Sequence, residues 1–211
     1  FILVLRGGDL PLFSESHNKL VTSLFAWAGK VTSPSRYLSE NLKAYRSDIV
    51  LIPNGVELAE YPFPNRNASK EKLVWLRAFH KIYNPSLLIQ VVYNLISSGF
   101  NPVCLMIGPD RGDGSFQDVQ SLIKTKHLEE NIEIIPGIKK SEVPEYLSKG
   151  SIFLNTTNID NTPVSVIEAM ACGLCVVSTN VGGMPYLLED EVDALLVPPD
   201  DPEAMAEAVK K

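Results

Sequence analysis

The chain has 211 residues, 45% hydrophobic and 21% charged, with a formal net charge of −6. That composition is ordinary for a folded globular protein, and its acidity speaks against a nucleic-acid partner held by electrostatics. No apolar run reaches the roughly 20 residues that span a bilayer as a helix, and none reads as a signal peptide.

Residues 1–5 (FILVL) read as a buried strand, and Arg6-Gly7-Gly8-Asp9 as the loop at its carboxyl end. The pattern then predicts a helix over 14–28, a short strand over 30–33 and a helix opened by Pro34-Ser35. A strand over 49–52 runs into Pro53-Asn54-Gly55-Val56, and a Pro/Asn-rich stretch over 62–69 reads as a flexible connection. The chain begins inside a strand pattern and ends inside a helical one, so a fragment of a longer protein is expected.

From Lys72 onward strands and helices alternate, the pattern of a parallel sheet with helices on its faces. Strands are predicted over 73–76, 103–107, 132–135, 152–155, 175–178 and 194–197. Helices are predicted over 85–98, 115–125, 141–148 and 163–172, with a short one over 186–189 and another from Pro202. The expected fold class is α/β: a nearly complete Rossmann-like domain over 53–211, preceded by the remnant of a second one over 1–52.

Arg77 and Lys81 follow the first strand of the larger domain. The loop Gly108-Pro-Asp-Arg-Gly-Asp-Gly114 matches neither the dinucleotide fingerprint nor a Walker A sequence. His17, His80 and His127 stand singly, so no metal-ligand spacing is visible. Cys104, Cys172 and Cys175 lie in apolar segments, which suits buried thiols in a reducing compartment. Cys172 and Cys175 do spell C-x-x-C, but at the C-terminal end of a helix, the wrong end to stabilise a thiolate.

The most informative stretch runs from Asp160 to Pro185, DNTPVSVIEAMACGLCVVSTNVGGMP. Thr162 is the expected N-cap and Pro163 the first helical residue. Between Asn161 and Leu188 the one charged residue is Glu168, in a helix otherwise apolar on most sides. Either Ser165, Glu168 and Cys172 form a narrow wet stripe, or Glu168 lines a cleft and meets a polar ligand. Gly173 closes the helix, Leu174-Cys-Val-Val177 reads as a covered parallel strand, and Gly182-Gly183 forms a turn at its carboxyl end. In open α/β sheets that rim is where ligands bind.

These residues resemble the family 4 (group 1) retaining nucleotide-sugar glycosyltransferases, which have the two-Rossmann-domain GT-B fold. Asp160 and Glu168 carry the family's two acids with seven residues between them, followed by EAMACGLCVVST and VGGMP. The first acid is Asp where Glu is usual, and Tyr186 stands where a Glu commonly follows the proline. The resemblance implies that Asp160 contacts donor sugar hydroxyls and Glu168 the ribose. It implies that Arg77, a Lys near 81 and the amides of Thr162, Val164 and Ser165 hold the diphosphate, with backbone near Ile138 meeting the base. Ile82 aligns with the family's lysine, with Lys81 one residue early. Lys81 either reaches in from a shifted loop or is a solvated lysine.

Arg6 replaces a cleft-facing His that the family carries in the acceptor-side domain. It either holds an anionic group or belongs to a plain solvated turn. IPNGV at 52–56 resembles the family's crossover between domains. The implied function is transfer of a sugar from a nucleoside diphosphate to an acceptor, without metal or other cofactor, in polysaccharide, glycolipid or other glycoconjugate synthesis. The expected location is cytoplasmic at the inner membrane face, with peripheral attachment through the absent N-terminal part and a sugar, lipid-linked or other acceptor. A degenerate nucleotide-sugar binding homologue and a nucleotide-sugar epimerase are the rival readings.

Overall fold

The structure, a computed structural model, describes residues 1–64 and 72–211. Strands β1 (Ile2–Val4), β2 (Lys30–Ser33) and β3 (Val50–Leu51) form a three-stranded parallel sheet in that order. Helices α1 (Leu10–Ser16), α2 (Asn18–Trp27) and α3 (Arg36–Asn41) connect them. Val21, Phe25, Val31, Leu38 and Leu42 form the core of this unit.

A six-stranded sheet follows, built from β4 (Lys72–Leu76), β5 (Val103–Ile107), β6 (Ile132–Ile135), β7 (Ile152–Asn155), β8 (Cys175–Thr179) and β9 (Leu195–Val197). Its order is β6-β5-β4-β7-β8-β9, with every pair parallel. Parallel neighbours need crossover connections, which here carry the helices. These are α4 (Pro85–Ser97), α5 (Ser115–Thr125), α6 (Val143–Ser148), α7 (Val164–Ala171) and α8 (Met184–Leu187), and α9 (Pro202–Lys210) follows β9.

Both faces of the sheet are covered. One core joins Leu73, Trp75 and Met106 to α4, α5 and α9. The other joins Val74, Leu105 and Phe153 to α6, α7 and Tyr61. Leu73, Val74 and Trp75 alternate between the two, and each is wholly buried, which is why β4 reads as an unbroken apolar run. The strand order reverses between β4 and β7, and a crevice opens at the carboxyl ends of such a pair.

Several expected details differ. The helix predicted over 14–28 is two helices broken at His17 (φ −122°, ψ 37°). Ser16 Oγ bonds back to the Phe13 carbonyl and His17 Nδ1 lies 2.9 Å from the same hydroxyl, side-chain bonds that compete with the helical ladder. β1 is an edge strand with Ile2 and Val4 exposed, so of 1–5 only Leu5 is buried. Cys175 is exposed while Cys104 and Cys172 are buried. Thr162 does not cap α7: Pro163 takes the N-cap position, extended at ψ 119° and without a side-chain cap bond. Of the connection expected over 62–69, residues 65–69 lie outside the described residues.

Candidate functional site

A cleft of about 670 Å³ lies at the switch point, between the loop after β1 and the loop after β7. Its lining includes Arg6, Ile82, Tyr83, Asp160, Thr162 and Val164. The loop after β7 reaches it because Trp75 Nε1 donates to Thr156 Oγ1 (2.9 Å) while the Thr156 hydroxyl donates to the Tyr83 carbonyl (2.7 Å). Thr179 Oγ1 then donates to the Thr157 carbonyl (2.6 Å). These bonds hold the ends of β4, β7 and β8 together.

Asp160 is the meeting point. Its Oδ1 accepts the Asn161 amide (2.7 Å), and its Oδ2 accepts a charged hydrogen bond from the Arg77 guanidinium. The Arg77 and Asp160 side chains are only 15% and 14% exposed. The Arg77 guanidinium also stacks over the Tyr83 ring, 4.7 Å from its centroid. Burial pulls the Arg77 pKa down to about 10, against the opposing influence of Tyr83 and Glu168, so it stays charged at neutral pH. Among the described residues, Arg77 Nε, Asn155 Oδ1 and Ser165 Oγ are buried without a hydrogen-bond partner. Buried polar groups are normally satisfied, so these three atoms are exceptions within the fold.

The backbone of Asp160 is also gripped. A β-carbon on Gly8 would sit 2.6 Å from the Asp160 carbonyl carbon. Ser35 Oγ donates to Asn161 Oδ1, and Asn54 Nδ2 donates to the Thr162 carbonyl (3.0 Å). Tyr186, the residue standing where Glu is usual, donates its hydroxyl to Glu40 (3.1 Å), and its ring lies 6.2 Å from that of Tyr37. Loops and helices of the two sheets thus meet around the Asp160 loop.

Ser165, Glu168 and Cys172 are 7%, 5% and 0% exposed, so no wet stripe exists on α7. Glu168 lies behind the cleft rather than in its lining, and its Oε1 accepts the Tyr61 hydroxyl (2.9 Å). The amides of Val164 and Ser165 stand in the first turn of α7, before the helical ladder begins, and are available to an anion. Arg6 is exposed at the cleft mouth. Lys81 is exposed outside the lining, while Ile82 is half-buried within it. Ile138 is half-buried against the core under α7 and away from the cleft.

Sequence reasoning missed Tyr83, Tyr61 and Gly8, whose roles depend on neighbours far along the chain. Among the described residues, no group of three or more His, Cys, Asp or Glu side chains converges as metal ligands would. Among those residues no helix is long and apolar enough to cross a membrane.

A sequence model described as glycosyl transferases group 1 matches residues 70–211. One component of the phosphatidylinositol N-acetylglucosaminyltransferase of Arabidopsis thaliana is 30% identical over 166 residues, 77% of this chain and 36% of that protein. The amylovoran biosynthesis glycosyltransferase AmsK of Erwinia amylovora is 32% identical over 101 residues, 43% of this chain and 25% of that protein. The chain therefore spans well under half the length of these relatives. In three dimensions it resembles Anabaena Alr3699/HepE, crystallised in complex with UDP and glucose, with a TM-score of 0.83 at 17% identity over 99% of this chain and 60% of that one. A likeness at that identity speaks to the fold, which is of GT-B type.

Proposed function

The chain belongs to the group 1 glycosyl transferases, and on that premise we propose that it carries the donor side of a retaining enzyme. The reaction moves a sugar from a nucleoside diphosphate to an acceptor hydroxyl. The observation that carries this reading is the mostly buried Arg77–Asp160 pair, whose Asp160 lines the switch-point cleft while Arg77 lies behind it against Tyr83. As the glycosidic bond breaks, negative charge collects on the departing diphosphate, and a fixed guanidinium stabilises it.

Arg77 and the first amides of α7 take the phosphates. Asp160, freed from Arg77 by the incoming anion, turns to the donor sugar's hydroxyls, and Glu168 accepts from the ribose. Arg6 at the cleft mouth faces the acceptor side. With the cation and the amides in place, the diphosphate charge is met without a metal ion, and no cofactor beyond the donor is required. We place the division between acceptor-side and donor-side parts at residues 52 and 53, and the acceptor in glycoconjugate or polysaccharide synthesis at a membrane face.

Ile82 in the cleft, with Lys81 outside it, favours a second reading, a homologue that binds nucleotide sugar without transferring it. Incubation of the longest natural form with UDP-glucose, UDP-N-acetylglucosamine and GDP-mannose, following nucleoside diphosphate release, tests the two. Binding without release from any donor would leave only the second.

A further inference from the structure

The crossover between the sheets runs along helix α7 and touches it at its start, middle and end. Asn54 reaches the Thr162 carbonyl just before the helix. Tyr61 donates its hydroxyl to Glu168 Oε1 at 2.9 Å in the middle. Phe63 lies over Gly173 just beyond the end, where a β-carbon would collide with its ring. Tyr61 and Glu168 are 8% and 5% exposed, so this is a bond between buried partners, 107 residues apart in sequence. Burial raises the Tyr61 hydroxyl pKa and Glu168 adds to the effect, so the proton stays on the tyrosine and the carboxylate accepts.

A phenylalanine would fill the same core space. The hydroxyl is therefore accounted for by its hydrogen bond, because a buried hydroxyl left unpaired is destabilising. A buried carboxylate has the matching need for a donor. We infer that Tyr61 is a positioning residue for Glu168: its hydroxyl holds Oε1 and fixes the carboxylate, so that Oε2 is presented to a ligand hydroxyl. This rests on the reading above, in which that ligand group is the donor's ribose. Tyr61 itself touches no ligand and acts through Glu168. The crossover is thereby a part of the nucleotide site as well as a connection between domains.

Calorimetry on the full chain tests this with UDP, GDP and ADP. The diphosphate that binds best is then compared with its 2′-deoxy analogue and with inorganic pyrophosphate. The native chain should prefer the ribonucleotide. Tyr61→Phe should weaken ribonucleotide binding roughly 3–10-fold, shrink the ribose preference, and leave pyrophosphate binding unchanged. Combined with Glu168→Gln it should add nothing to that single change, since both act on one contact. Phe63→Ala, which loosens the same crossover without touching Glu168, should keep the ribose preference.

A native chain that binds none of the three diphosphates removes the nucleotide reading and this inference together. A native chain that binds but does not distinguish ribose from deoxyribose overturns the inference. So does a Tyr61→Phe variant with native selectivity, one whose effect adds fully to that of Glu168→Gln, or one that fails to fold. Loss of the preference in Phe63→Ala would equally sink it, by showing that packing alone matters.

Discussion

Gly183 donates its amide to the Asp160 carbonyl at 2.9 Å, and its α-carbon lies so near the Asn161 carbonyl that a β-carbon has no room. Its φ of −84° is ordinary, so the glycine is required by close approach and not by an unusual backbone angle. The turn after β8 is the wall against which the Asp160 loop rests. Gly183→Ala is therefore an overpacking change, which typically costs about 1–3 kcal/mol. For a chain of this length that lowers Tm by roughly 2–12 °C. Donor turnover should fall more than diphosphate affinity, because Asp160 moves while Arg77 stays. A native melting curve with native turnover would show that the wall has slack.

Asp160→Asn separates the two roles of that residue. It removes the counter-charge of a mostly buried guanidinium while keeping one acceptor for it. The expected destabilisation is about 2 kcal/mol, below the roughly 3–5 kcal/mol for deleting a partner of a buried pair outright. Transfer should be abolished. Affinity for nucleoside diphosphate should rise several-fold, because the phosphates no longer compete with a carboxylate for Arg77. A fall in that affinity, measured by calorimetry, would mean that Arg77 needs Asp160 to stay in place.

Asp113 fixes the loop that carries Tyr83. Its Oδ2 accepts the Lys81 amide at 2.7 Å and its Oδ1 accepts the Ser115 hydroxyl at 2.6 Å. These bonds, the Ser115 hydroxyl foremost, hold its carboxyl well below the ordinary value of 3.8. A depressed carboxyl stabilises the fold above its unfolded pKa. That contribution is lost as pH falls below the ordinary carboxylate range toward the folded value. Asp113→Ala should speed hydrogen exchange at the Lys81 amide at neutral pH, and weaken diphosphate binding by loosening Tyr83 beneath Arg77. Exchange that stays slow in the variant would show that the short turn at residues 81–83 holds itself.

The parallel sheet over 72–211 was legible because its strands are mostly apolar runs separated by helix signals. Leu73-Val74-Trp75 is buried on both faces and can be read without knowing its neighbours. The Asp160–Glu168 spacing was legible for the same reason, since it lies within one loop and one helix. What could not be read was contact across the chain. Arg77 and Asp160 are 83 residues apart and meet because the strand order reverses between β4 and β7. Gly183 looked like ligand-facing backbone, yet it makes way for another loop. Pro163 stands in the cap position in place of Thr162 because its backbone is extended at ψ 119°, and the Thr162 carbonyl before it is held by Asn54, 108 residues away, a contact that local preference does not contain. Tyr61 gave no local signal, since a lone aromatic in a connection reads as core.

Position 82 decides between the enzyme and the binding homologue. Ile82 is half-buried in the cleft, and its carbonyl accepts the Asn158 amide at 2.8 Å and the Thr157 hydroxyl at 3.2 Å. Those bonds belong to the backbone, so a change of side chain leaves the loop where it is. On the proposed reading, Ile82→Lys adds a second cation to the cleft, next to Tyr83 on which Arg77 rests. A hydrogen bond to a charged group contributes about 1.5–3 kcal/mol, so diphosphate affinity should tighten about tenfold or more. Nucleoside affinity should stay at its native value, because on the proposed reading the ribose meets Glu168, which lies behind the cleft and away from residue 82. If the native chain transfers sugar with Arg77 alone, turnover should change little, since a tighter hold on the product slows its release as much as it helps its departure. A chain that gains turnover only with the added lysine is a lapsed enzyme. If nucleoside and nucleoside diphosphate affinities move together instead, residue 82 does not face the phosphates, and the charge is met by Arg77 and the first amides of α7 alone.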